Sequence, residues 1–134
     1  MEKSLVIDIN AEKDIMKART GGRNRLRDMN AGAIDQARVL SAISELARNI
    51  YLYAGNGRLT LEIIEEPAGK RGVRLTAEDH GPGISMVNKA LEKGYSTSGG
   101  LGAGLPGVKN MMDEFDIDST PGKGTKVTVL KWIS

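Results

Sequence analysis

Glu45 and Asn49 stand four residues apart in the segment SELARN, the spacing that stacks two side chains on one face of a helix. A carboxylate beside an amide oxygen can hold Mg²⁺ and orient a hydroxyl, and it can equally be an ordinary polar pair on a solvated helix face. In EDHGPGI, Asp79 continues the alternation of Val73, Leu75 and Ala77, so a core-facing row ends in a carboxylate followed at once by glycines. An acid so placed needs a hydrogen-bond donor. An exocyclic amine such as that of adenine would supply one, with Gly81 and Gly83 letting a flat base approach the backbone. The other reading is a turn in which Asp79 binds its own backbone amides.

Residues 96–108, STSGGLGAGLPGV, contain the string GxGxxG from Gly102 through Gly104 to Gly107. A dinucleotide fingerprint needs a strand directly before those glycines, whereas a helix and a polar loop precede them here. Neither HRD nor DFG occurs, nor GxxxxGK followed by Ser or Thr, which excludes the eukaryotic-type protein kinases and the ordinary P-loop. What remains is physical: a glycine loop opening into a helix N-terminus offers free amides and a positive dipole end to phosphates, or else is a mobile surface loop. GKGT at 122–125 puts Thr125 at a strand start, where it could hydrogen-bond a base directly or through water, or serve only a hairpin. His80 points away from Asp79 by alternation and has no second imidazole to work with, so it reads as an ordinary polar residue.

The elements that must position these groups follow from periodicity. Leu5, Ile7 and Ile9 alternate in a first strand over 4–9. A helix follows with Ile15, Ala18, Gly22, Leu26 and Met29 on its apolar side and Arg19, Arg23 and Arg27 as a basic stripe beside them. A second helix runs from about 34 to 54, its apolar face formed by Leu40, Ile43, Ala47, Ile50 and Ala54, and the turn AGNG ends it. Strands over 58–64 and 72–79 form a hairpin around EPAGKRG. A short helix over 86–93, capped by Ser85 and stopped by Gly94, leads to the glycine loop. A further helix starts near Leu105, with Pro106 in its first turn, and buries Val108, Met111, Met112 and Phe115. Strands over 115–120 and 125–134 close the chain. Hairpins mixed with helices predict a two-layer α/β (α+β) sandwich, with helices on one face of a mixed sheet.

The 134 residues make one domain's worth of sequence, compact at a radius of gyration of about 14 Å. With no cysteine and one histidine, disulfides, thiolate metal sites and HExxH are excluded, leaving only an oxygen-ligated metal. A net charge of +2 is too small to gather nucleic acid, and 4% aromatics leave few platforms for base stacking. The apolar runs are too short for a membrane span, and the start MEKSLVIDIN lacks the apolar stretch of a signal peptide, so the expectation is a cytoplasmic protein.

Four motifs in this order carry a resemblance across residues 41–129. SELARN resembles the N box, EDHGPGI the first glycine box, GGLGAGLPG the ATP lid with the second glycine box, and GKGT the last box of the GHKL superfamily, which includes histidine-kinase ATP domains, the ATP-binding part of DNA gyrase, Hsp90 and anti-sigma factor kinases. DQARVLSAISELARNIYLYAG, TSGGLGAGLPGVK and MDEF bring the chain closer to the serine/threonine kinases that switch bacterial stressosome signalling. The resemblance implies the Bergerat-type ATP-binding fold, Mg²⁺ and ATP, with Glu45 as the base acting on the substrate hydroxyl and Asn49 as the Mg²⁺ ligand. It implies that Asp79 reads the adenine amine, that Gly81 and Gly83 shape the base pocket, and that Thr125 assists at the base. Gly100, Gly102 and Gly104, with Leu101, Ala103 and Leu105 in the same segment, would wrap the phosphates. The implied substrates are STAS-domain scaffold and antagonist proteins of the RsbS and RsbR kind, whose phosphorylation frees the kinase for a downstream phosphatase or cyclase-type regulator. The arginine stripe would dock an acidic surface of such a partner, or stay a solvated basic face. The competing reading is a non-catalytic, anti-sigma-like module that binds ATP without turnover, and Glu45 argues against it.

Overall fold

A computed structural model describes residues 4–81 and 104–134. In chain order these form β1 (Ser4–Ile9), α1 (Lys13–Asp28), α2 (Ala33–Ala54), β2 (Gly57–Glu65), β3 (Arg71–Asp79), α3 (Gly104–Met111), β4 (Glu114–Thr120) and β5 (Gly124–Ile133). The helix expected over 86–93 and the glycine loop up to Ala103 lie outside the described residues.

The strands pair in the order β1-β2-β3-β5-β4. Every pairing is antiparallel, so the described sheet is antiparallel throughout rather than mixed. Short turns join β2 to β3 and β4 to β5, and a two- to five-residue link permits only an antiparallel pair. Strand alternation then decides the layering. Leu59, Leu61 and Ile63 of β2, Val73, Leu75 and Ala77 of β3, and Val127 and Val129 of β5 are all buried on one face. The other face carries cross-strand charge pairs, Arg58 with Asp8 and Arg74 with Glu62. One apolar and one polar face leave a single side for helices, the two-layer sandwich expected.

Helix α2 lies over the middle of that face against β1, β2, β3 and β5, flanked by α1 and α3. Leu40 and Ile43 turn toward α1, where a Cβ on Gly22 would collide with the Ile43 side chain. The buried arc of α2 is wider than the expected stripe, because Val39, Ala42 and Leu46 are also enclosed. A helix with a sheet beneath it and a helix on each side is wrapped beyond the ~100° of a simple amphipathic stripe. Gly55, at φ +81°, ends α2 by donating its N–H to the carbonyls of Ile50 and Tyr51. Met29 proves to be the residue closing α1, and α3 stops at Met111, so Phe115 packs from β4 rather than from the helix.

The core-facing row of β5 contains a charge. Lys131 is buried, and its ammonium donates to Asp113 Oδ2 at 3.1 Å, while the Trp132 N–H donates to the same oxygen at 2.7 Å. Burial of Asp113 opposes its ionisation, but the Trp132 amide and Lys131 outweigh it and hold the carboxyl below its ordinary value. A depressed carboxylate contributes stability that is complete above the unfolded value, about 3.9, and is lost as pH falls through the lower folded value. Asp113→Asn is therefore expected to unfold at lower urea than wild type at pH 7, with the gap closing as pH falls below about 4. A gap of constant size down to pH 2.5 would refute this assignment.

Candidate active site

The β-ladder builds one row across the end of the sheet. Gly57 pairs with Asp79, Asp79 with Thr125, and Thr125 with Ser119. Paired residues share a face, and the parity of Leu75, Ala77 and Val127 puts this row on the helix side. The row thus reads glycine, carboxylate, hydroxyl, hydroxyl along four strands. Neighbouring Cβ atoms in such rows are about 4.5–5.5 Å apart, so the Asp79 and Thr125 side chains address one small volume.

The carboxylate is half-buried and held. Asp79 Oδ1 accepts the Gly81 N–H at 3.0 Å, the local turn that the sequence left open as an alternative. That bond uses one oxygen, and Oδ2 takes no hydrogen bond from a described residue. The two readings of Asp79 are therefore compatible: the turn fixes the carboxylate and leaves an acceptor for an amine.

Close backbone approaches bring the strand end against the last turns of α2. A Cβ on Gly81 would stand 2.6 Å from Ala54 Cβ. One on Gly57 would strike the Glu78 carbonyl and stand 2.7 Å from Ile50 Cγ2 and 3.1 Å from Asp79 Cβ. Only a residue without a side chain at position 57 lets the β2 end pack this closely on Ile50 and Asp79. Asn49 precedes Ile50 and so lies at nearly the same height on α2, about 100° around the helix, with Glu45 one turn, about 6 Å, earlier.

Glu45 and Asn49 are half-buried, at the edge of the widened buried arc of α2 rather than on an open polar face. The Glu45 side chain is 14% exposed, and its Oε1 receives the Arg48 guanidinium at 2.6 Å. Arg48 was not singled out in the sequence, although its i, i+3 spacing from Glu45 is a legible signal. On the far flank of α2, Gly104 and Leu105 are buried in the first turn of α3. The amides of such a turn have no acceptor within the helix, and that turn carries no acid. Gly83, Gly100, Leu101, Gly102 and Ala103 lie outside the described residues. His80 is exposed. Of the basic stripe, Arg23 and Arg27 are exposed, Arg27 donating to Asn24, while Arg19 is half-buried.

Comparison with known proteins turns this geometry into an identity. Residues 34–133 match the family described as histidine kinase-, DNA gyrase B-, and HSP90-like ATPase. The serine/threonine-protein kinase RsbT of Bacillus subtilis (strain 168) is 51% identical over 133 residues, covering 99% of this chain and 99% of that protein. The chain belongs to the RsbT family of serine/threonine-protein kinases. An anti-sigma F factor of Caldanaerobacter subterraneus subsp. tengcongensis is 30% identical over 100 residues, which is 72% of this chain and 70% of that protein. Two solved structures share the fold. The RsbU and RsbW domains of Rv1364c from Mycobacterium tuberculosis align with a TM-score of 0.65 at 20% identity, over 97% of this chain and 32% of that one. The SiaB-SiaC complex from Pseudomonas aeruginosa aligns with a TM-score of 0.59 at 16% identity, over 96% and 89%. As a member of the RsbT family the chain is an ATP-using kinase. Among the described residues no helix is long and apolar enough to cross a membrane.

Proposed function

We propose that the row at the end of β3 and the start of β5 is the base end of the ATP site, and that the outer edge of α2 carries the transfer of the γ-phosphoryl group to a serine or threonine hydroxyl. The observation that carries this reading is the register setting Thr125 opposite an Asp79 whose Oδ1 is held by Gly81. Asp79 Oδ2 accepts from the adenine amine. Thr125 lies beside it, and Gly81 shapes the pocket by letting the end of β3 close onto Ala54 of α2. The first-turn amides of α3, at Gly104 and Leu105, supply the near end of the phosphate cradle. Gly83 belongs to the base pocket, and Gly100, Leu101, Gly102 and Ala103 to the rest of that cradle.

The donor set also fits a divalent cation of the Mg²⁺ kind. No cluster of three or more acidic or histidine side chains stands together among the described residues, so a cation here would be held by Asn49 with phosphate oxygens and water, the sparse protein ligation Mg²⁺ favours. When bound it would neutralise charge on the phosphates. Glu45 accepts the proton of the substrate hydroxyl as its oxygen bonds to the γ-phosphorus and the bond to the β-phosphate oxygen breaks. Arg48 holds the carboxylate by one oxygen and leaves the other for the proton.

The proposed substrates are STAS-domain scaffold and antagonist proteins of a cytoplasmic stressosome. Their phosphorylation would release the kinase to a downstream phosphatase or cyclase-type regulator. Similarity over 99% of both chains to the serine/threonine-protein kinase RsbT supports a protein hydroxyl as acceptor. The deciding experiment is labelled Mg-ATP incubated with purified STAS-domain acceptors, in which no label on any acceptor would refute the substrate assignment.

Asp79→Asn tests the base site separately. It replaces one carboxylate oxygen by a donor, and loss of a charge-assisted bond is worth ~1.5–3 kcal/mol, so ATP affinity should fall by roughly 10-fold or more. Calorimetry giving an unchanged Kd would remove Asp79 from the site.

A further inference from the structure

Ser119 is a residue that no motif brought forward, yet it ends the row that begins at Gly57. Its Oγ is 2.8 Å from Thr125 Oγ1 and 3.3 Å from the Gly124 carbonyl oxygen. A hydroxyl has one proton to give and two lone pairs to receive. The Gly124 carbonyl can only accept, so Ser119 satisfies both contacts when its own proton goes to Gly124 O. The proton between the two hydroxyls must then come from Thr125. Thr125 Oγ1 is left with lone pairs alone on its other side, which is the Asp79 side.

We infer that Ser119 is a specificity-determining positioning residue: by taking the Thr125 proton it fixes Thr125 as an acceptor, so that Asp79 and Thr125 together select a 6-amino over a 6-oxo purine. This rests on the base site proposed above. An amino group carries two N–H bonds, one for each acceptor, directly or through one water. A 6-oxo group has none and meets lone pairs from both sides. Without Ser119 the Thr125 proton is free to turn toward the ligand, and a 6-oxo purine finds a donor.

The test measures Kd for ATP and for ITP, which differ only on the six-membered ring edge, by calorimetry. The proteins are wild type, Ser119→Ala, Thr125→Val, the double variant and Asp79→Asn, each checked for folding by thermal denaturation. A neutral hydrogen bond is worth roughly 0.5–1.5 kcal/mol, so Ser119→Ala should narrow the ATP-over-ITP preference by about 3- to 10-fold, chiefly by improving ITP. Ser119→Thr, which keeps the hydroxyl, should retain the preference. The double variant should match Thr125→Val alone, because Ser119 acts only through Thr125. Equal weakening of both nucleotides in Ser119→Ala, or an unchanged ratio, assigns Ser119 to packing and overturns the inference. Should Ser119→Ala fail to fold, Ser119→Cys, a weak donor of similar size, takes its place with the same expected narrowing. Unchanged ATP affinity in Asp79→Asn would overturn the base site itself. A loss there, with an unchanged ratio in Ser119→Ala, would overturn the role of Ser119 alone.

Discussion

Glu45→Ala is expected to cut phosphoryl transfer to a protein hydroxyl by about 10²–10⁴-fold, the range for loss of a positioned general base, while ATP affinity changes by less than about 3-fold. The split follows from placement. Asp79 and Thr125 pair at the end of the sheet, where the adjoining Gly57 and Gly81 approach Ile50 and Ala54, whereas Glu45 lies more than a turn before Ile50 on α2, held by Arg48 and not by the base row. Glu45→Gln keeps shape and volume and should be nearly as inactive, since an amide cannot take the proton. Asn49→Ala differs in kind: it should weaken ATP binding in the presence of Mg²⁺ and leave metal-free binding alone. Single-turnover transfer with a STAS-domain acceptor, paired with calorimetry, separates these effects. Transfer by Glu45→Ala within a few-fold of wild type would remove the base from the mechanism.

What the sequence disclosed and what it withheld divide along physical lines. Local signals are enough for β1, α2, the β2–β3 hairpin and the start of α3 near Leu105, because each of these elements declares itself within its own residues. Asp79 and Thr125 were legible as polar ends of apolar rows. Their adjacency was not, because the β3–β5 register joins segments 46 residues apart and no local pattern encodes a non-local pairing. Ser119 follows from the same gap. It has the parity of Phe115 and Ile117, and the tight turn from Thr120 to Gly124 sets it opposite Thr125, so its place was readable only once that hairpin register was known. Strand direction was missed for another reason: alternation reports which face a residue occupies, not which way its neighbour runs. The surroundings of Glu45 depended on tertiary wrapping. A single-helix projection puts it opposite Leu40 and Ile43, but packing on both flanks of α2 closes the arc to Val39, Ala42 and Leu46 and leaves Glu45 at its edge.

Gly124→Ala should be the most damaging single-methyl change in the base site. Gly124 has φ +123°, a conformation L side chains rarely adopt, and a Cβ there would collide with the Asp79 carbonyl and stand 2.8 Å from His80 Cα. Both obstacles are backbone, so no rotamer change relieves them, and the strands β3 and β5 must part where Asp79 and Thr125 pair. Backbone strain of 1–3 kcal/mol and overpacking of similar size add to roughly 3 kcal/mol or more, a drop in Tm on the order of 10 °C. ATP affinity should fall by more than 10-fold even where the protein remains folded, because spreading the strands separates the two groups that share the base. Gly122→Ala isolates the conformational part: φ is +79°, but nothing lies within 4 Å of the added methyl. It should cost about 1 kcal/mol and leave ATP affinity intact. Thermal unfolding and calorimetry on the two variants decide between strain and steric contact. If Gly124→Ala proves no worse than Gly122→Ala in both measurements, the close approach of β5 to Asp79 is not what shapes the site.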